Sequence, residues 1–224
     1  MVMHLSEADH ARVTAAVSQA ERATDGEIVT VVAGRSDAYH DVALHWTVLA
    51  MLFVLALLAW IPAPVEWLHA ALIDAWSDTP PRWYLTFALV LMAVTFLVAR
   101  VLLALDALRL ALTPGGTKTR RTHARALALF RTAAEKRTRA STGVLLYLSL
   151  AEHRAEIIAD EAIHSKVSAD VWGEAMAVLI AQVKQGRPGE GMAQAVAQIG
   201  NVLAEHFPRS QDDINELPDR LIEL

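Results

Sequence analysis

The sequence predicts a water-exposed α/β domain carried by a two-helix hairpin that crosses a membrane. Two apolar runs of membrane-spanning length stand mid-chain, short apolar strand segments lie on either side of them, and basic residues crowd the outer flanks. The 224 residues are 54% hydrophobic with a mean hydropathy of +0.31, high for a soluble domain and low for a transporter of many spans.

The first run, Val42 to Ile61, has no charged residue and ends at Pro62 and Pro64. About 20 helical residues cross the ~30 Å hydrocarbon core. Trp46 and Trp60 stand near its ends, where interfacial aromatics collect. The second run, Trp83 to Leu105, is interrupted only by Arg100, close enough to the basic end for its side chain to reach the headgroups. Neither run offers an acidic partner for Arg100, so an ion pathway is not expected.

Between the runs, Val65, Leu68, Leu72 and Trp76 share one helical face, with Glu66, His69 and Asp74 mostly opposite. This connector reads either as an interfacial helix anchored by Trp67 and Trp76 or as an ordinary loop. It carries one basic residue, Arg82. Arg12, Arg22 and Arg35 precede the first span, and Arg109, Lys118, Arg120, Arg121, Arg125, Arg131, Lys136, Arg137 and Arg139 follow the second. The positive-inside rule then places both termini in the cytoplasm and the connector outside.

The flanking segments read as soluble. The acidic, amphipathic start (Leu5-Ser6-Glu7-Ala8-Asp9) is unlike a signal peptide. Val13, Ala16, Val17 and Ala20 recur at helical spacing from Ser6 to Ala23, with Ser6 as N-cap. Glu27 to Ala33 is a buried strand. After Pro114-Gly115-Gly116, a helix from Thr117 to about Arg137 presents Ala126, Leu129, Phe130 and Ala133. Gly143 to Leu150 and Arg154 to Ala159 are strands joined at Glu152-His153. Ser168 caps a helix with Val171, Trp172, Ala175, Leu179 and Val183 inward, ended by Gly186. A last helix buries Met192, Val196, Ile199 and Leu203. The acidic tail from Asp212 to Leu224 shows little pattern. The predicted divisions are 1–41, 42–61, 62–82, 83–105 and 106–224. Both outer strands are too short to be stable alone, so they are expected side by side in one sheet.

Chemistry is sparse. There is no cysteine, which excludes disulfides, thiol nucleophiles and Cys-ligated zinc. The nine histidines include no HExxH pair, and neither a GxSxG elbow nor a dinucleotide fingerprint occurs. Thr113-Pro-Gly-Gly-Thr-Lys118 lacks phosphate-loop spacing. The basic stretch from Lys118 to Arg139 has no interleaved aromatic platform, so lipid contact is expected and nucleic acid is not. The chemical candidates are carboxylates at predicted strand ends: Glu27, Asp160, Glu161 and Asp170. Converging on one sheet edge, they would hold calcium or magnesium; each also has an ordinary strand-exit or first-turn explanation.

Taken in order, a helix, Thr24-Asp-Gly-Glu-Ile28 entering a strand, another helix, Ser141-Thr-Gly-Val-Leu145 entering an apolar strand and Glu156-Ile-Ile-Ala-Asp160 returning resemble the TPM domain family. Val171-Trp172, Ile199-Gly200, His206-Phe207-Pro208 and Asn215-Glu-Leu-Pro218 resemble a bacterial membrane-bound subgroup. The resemblance implies a small mixed sheet flanked by helices, with the hairpin inserted between the first strand and the second helix, in a multi-pass protein of the bacterial inner membrane. It implies metal-dependent phosphatase activity in some members, calcium binding in others, and roles in assembly or repair of membrane complexes. The expected function is a membrane-tethered cytoplasmic interaction domain that assists assembly, repair or turnover of a membrane complex through an unidentified membrane protein. The alternative is a calcium- or magnesium-dependent phosphatase at the membrane surface. No nucleophile with a positioned base accompanies the carboxylates, so no catalytic residue, no obligatory cofactor and at most weak calcium binding are expected.

Overall fold

A computed structural model describes residues 5–73, 76–133, 142–210 and 217–224. Asp74, the helical extension to Arg137 with Lys136 and Arg139, Ser141, and the tail from Gln211 to Glu216 lie outside the described residues. In chain order the elements are α1 (Glu7–Glu21), β1 (Glu27–Ala33), α2 (His40–Trp60), α3 (Ala63–Leu72), α4 (Pro81–Ala104), α5 (Asp106–Ala111) and α6 (Gly115–Ala133). There follow β2 (Gly143–Ser149), β3 (Arg154–Ala159), α7 (Glu161–His164), a 3-10 turn (Ala169–Trp172), α8 (Gly173–Lys184), α9 (Pro188–His206) and β4 (Ile222–Glu223). They form two compact units, Met1–Ala38 with Gly115–Leu224, and Tyr39–Pro114.

The first unit is built on one four-stranded mixed sheet in the order β3-β2-β1-β4. β1 runs parallel to β2, with Glu27 opposite Gly143 and Ala33 opposite Ser149. β3 returns antiparallel to β2, and β4 pairs parallel to β1 at Val31 and Val32. Every residue of β1 and β2 is buried, which suits central strands covered on both faces.

The two-residue period of a strand divides these side chains cleanly. Ile28, Val32, Val144, Leu146 and Leu148 face a core shared with Val13 and Val17 of α1, Leu179 of α8, and Met192, Val196, Ile199 and Leu203 of α9. Val29, Val31, Leu145 and Tyr147 face a second core with Ala126 and Phe130 of α6 and Leu217. The helical stripes expected for α1, α6 and α9 are therefore the packed ones.

α1 begins with a reciprocal cap: the Asp9 N–H donates to Ser6 Oγ at 3.2 Å, and the Ser6 N–H donates to the Asp9 carboxylate at 3.3 Å. Its far end crosses α9 at close range. A Cβ placed on Gly200 would come within 2.6 Å of Ala20 Cβ, so only glycine permits this crossing.

Several expectations need correction. Ser168 makes no side-chain cap; the chain forms a 3-10 turn, α8 starts only at Gly173, and Val171 is exposed rather than core. α6 starts two residues early, at Gly115, and α5 and α7 arise where no helix was expected. The tail ends in β4, held by Gly34 N–H to Leu224 O at 3.0 Å and Leu224 N–H to Val32 O at 2.9 Å. Partner backbone, not side-chain pattern, orders that strand.

In the second unit, α2 and α4 are each long and apolar enough to cross a membrane. Phe53, Leu85, Leu89 and Val101 are each 68–73% exposed, so these apolar helices are not buried within the chain. α3 corrects the connector: its inward residues are Val65 and His69, while Leu72 and Trp67 are exposed. His69 meets the Trp83 ring edge-on at 5.2 Å, and the Tyr84 hydroxyl donates to Glu66 at 3.0 Å. The indole of Trp46 donates to Leu112 O at 3.0 Å, and buried Arg109 donates to Leu103 O at 3.1 Å.

The α1–α9 crossing makes a direct prediction. Gly200→Leu should lower stability by about 1–3 kcal/mol or prevent folding through overpacking, whereas Ala197→Leu, on the exposed face of α9, should change it little. Thermal melts in nonionic detergent would measure both. Equal, small effects would mean that α1 does not lie where the structure places it.

Candidate functional site

The four carboxylates singled out from sequence are not gathered in one place. Glu27 and Asp160 lie at the end of the sheet where β1 and β2 begin, on either side of Gly143. Both are buried. Their oxygens serve the backbone: the Gly143 N–H donates to Asp160 Oδ2 at 3.2 Å, and the Leu217 N–H donates to Glu27 Oε2 at 3.2 Å. Asp160 thus ties β3 back to β2 instead of being an exposed strand exit, and Glu27 fastens the chain leading to β4. Glu161 sits exposed in the first turn of α7, and Asp170 is exposed on the 3-10 turn. Among the described residues no group of three or more His, Asp or Glu side chains is placed to hold a metal ion.

A third buried acid lies near that sheet end. The Glu21 carboxyl accepts the Ile28 N–H at 2.9 Å, filling an edge position of β1 beyond the short β4. Burial raises its pKa to about 8; the neighbouring charges of Glu27 and Asp219 push the same way, and the Ile28 N–H opposes them. Glu21 is therefore protonated at neutral pH, near the Asp219 carboxylate, which accepts from Ser18 Oγ. The signal was present in the sequence, since Val13, Val17 and Glu21 continue one i, i+4 stripe.

The opposite end of the sheet holds a closed polar network. Both oxygens of buried Glu152 are used, one by the Ser36 N–H at 2.9 Å and one by Ser149 Oγ. Ser36 Oγ contacts the Tyr147 hydroxyl at 3.0 Å and Thr122 Oγ1 at 3.3 Å, and Arg121 pairs with Asp37 at 2.9 Å. Burial raises the Tyr147 pKa; Ser36 and Ser149 hydrogen bonds oppose the shift. Ser149 is fully buried, so its pairing with Glu152 is closed to solvent. Its work is positional: it holds residues 36–37 against residues 121–122, where the chain leaves and re-enters the sheet unit.

A surface depression of about 280 Å³ lies between the 3-10 turn, α8 and α9. Val171, Trp172, Ala175 and Val202 supply its apolar lining, and Asp170, Glu174 and Gln198 its polar groups.

A mixed sheet layered between helices, with buried carboxylates used as backbone fasteners, defines an α/β domain, accompanied by two helices long and apolar enough to cross a membrane. Residues 111–202 match the family model of the TPM domain, a span that runs from the end of α5 into α9. That stretch of the chain is similar to the TPM domain. No curated protein matches the chain. Its fold is similar to the NMR structure of the BA42 protein from the psychrophilic bacterium Bizionia argentinensis, with a TM-score of 0.57 and 18% identity over 99% of this chain and 97% of that one.

Glu21 generates a pH prediction. Between about 4.5 and about 8 the native carboxyl keeps its proton while the unfolded one ionises, so folding takes up a proton. Stability contributed by the protonated carboxyl is complete below that window, falls by up to about 1.4 kcal/mol per pH unit within it, and levels off above. Glu21→Gln keeps the acceptor for Ile28 and carries no charge. It should reduce the slope of stability against pH and be the more stable variant at pH 8; an unchanged slope would contradict a buried, protonated Glu21.

Proposed function

We propose that the chain is a membrane-tethered docking domain that assists the assembly, repair or turnover of a membrane complex. The observation that carries this reading is the contrast between its carboxylates and its open surface. Glu27 and Asp160 are engaged by backbone amides, Glu161 and Asp170 stand apart, and the depression under Val171 and Val202 is open to a partner. α2 and α4 supply a tether of the right length and apolarity.

In this reading both spans lie in the bacterial inner membrane, with both termini and the sheet unit in the cytoplasm. Lipids surround α2 and α4, and the partner is a membrane protein whose apolar side chain enters the depression. The charge asymmetry supports the orientation, with one basic residue between the runs against many outside them.

Two measurements test it. A photo-reactive residue at position 202, in otherwise intact protein in its own membranes, should capture a membrane protein, and Ala175→Trp should remove the adduct by filling the depression. Capture that persists in the filled variant would contradict docking there. Purified protein given a generic phosphate ester with calcium or magnesium should show no turnover above that of heat-inactivated protein. Robust metal-dependent turnover lost in Asp160→Ala or Asp170→Ala would establish the phosphatase reading instead.

A further inference from the structure

α6 carries Lys118, Arg120, Arg121, Arg125 and Arg131 and no acidic residue, within a chain whose net charge is −5. Its inward face is settled by Thr122, Ala126 and Phe130, all buried, while Arg120, Arg125 and Arg131 are exposed and Lys118 half-buried. The cationic surface continues onto β3, because the Arg154 guanidinium lies 3.7 Å from the position a Cβ on Gly115 would take. Two acidic groups of adjoining elements pair with α6 itself, Asp37 with Arg121 at 2.9 Å and Glu156 with His123 at 3.2 Å, and Glu152 is taken up by Ser36 and Ser149; none of these contacts is to Lys118, Arg120 or Arg125.

We infer that the outer face of α6, with Arg154, is a binding surface for the phosphate headgroups of anionic lipids. This rests on the tethered reading, because α6 begins directly after Pro114, the last residue of the unit holding α2 and α4. Charge complementarity selects an anion. The lack of an outward aromatic argues against nucleic acid: the one aromatic of α6, Phe130, is buried in the core and offers no platform to a base. The positions also exceed what topology requires, since Arg131 lies four turns from the start of the helix on a surface fixed by packing to the sheet. Because the helix is already ordered, binding sacrifices only side-chain freedom.

The test uses full-length protein in nonionic detergent, with retained lipid read by native mass spectrometry after addition of equal phosphatidylglycerol and phosphatidylcholine. Lipid held by α2 and α4 through its chains alone would show no headgroup preference. The wild type should retain phosphatidylglycerol preferentially. Lys118→Gln/Arg120→Gln/Arg125→Gln should reduce the preference at least tenfold, from roughly fivefold per charge at a membrane surface. Arg120→Lys/Arg125→Lys should keep it, and unchanged thermal melts would show that all variants fold. Equal retention of the two lipids by the wild type, or an undiminished preference in the glutamine variant, would overturn the inference. So would single-stranded RNA displacing the lipid at equal phosphate. Alkaline carbonate extraction of the native membranes tests the tether separately: protein released by carbonate but still selective for phosphatidylglycerol would remove the tether and uphold the headgroup surface.

Discussion

The parallel pairing of β1 with β2 is the interaction on which the rest of the structure depends. Parallel neighbours require a crossover, and here the crossover contains both membrane-length helices as well as α6. Closing so long a connection is unfavourable for a flexible chain, although the penalty grows only slowly with length. The seven-residue ladder, buried on both faces, supplies the opposing term. Each of its side chains enters one of two cores, so α1, α8 and α9 on one face and α6 on the other are placed by the same register. The Glu152–Ser36 contact and the Arg121–Asp37 pair reinforce the closure at the chain's exit and return.

The carboxylates follow from the same constraint. A mixed sheet with a two-residue β4 leaves edge amides of β1 without strand partners, and buried amides must be satisfied. Glu21 answers Ile28, Glu27 answers Leu217, and Asp160 answers Gly143 at the end of the hairpin. Each of these acids meets one buried backbone donor near that end of the sheet.

Much of this was legible in the chain. The β-branched run 27–33 and the apolar run 143–150 announced strands, and the stripes of α1, α6 and α9 followed the 3.6-residue period because each buries a single face. The two long apolar runs were visible from length and charge alone. What was hidden depended on contacts distant in sequence. His69 was read as polar because its spacing matches Glu66, yet Trp83 gives it an aromatic partner. β4 has no strand pattern and exists because β1 offers an edge. Glu21 extends the Val13–Val17 stripe, but a carboxylate on an apolar face gains meaning only from Ile28, whose N–H faces it in the fold.

Hydrogen–deuterium exchange on the intact protein in lipid nanodiscs tests the split sheet most directly. Amides of residues 29–33 and 144–148 should form the slowest-exchanging set outside α2 and α4, and added denaturant should release them together. Early exchange of 29–33 with 144–148 still protected would show that the two halves of the chain do not share a sheet, and would contradict the account at its foundation.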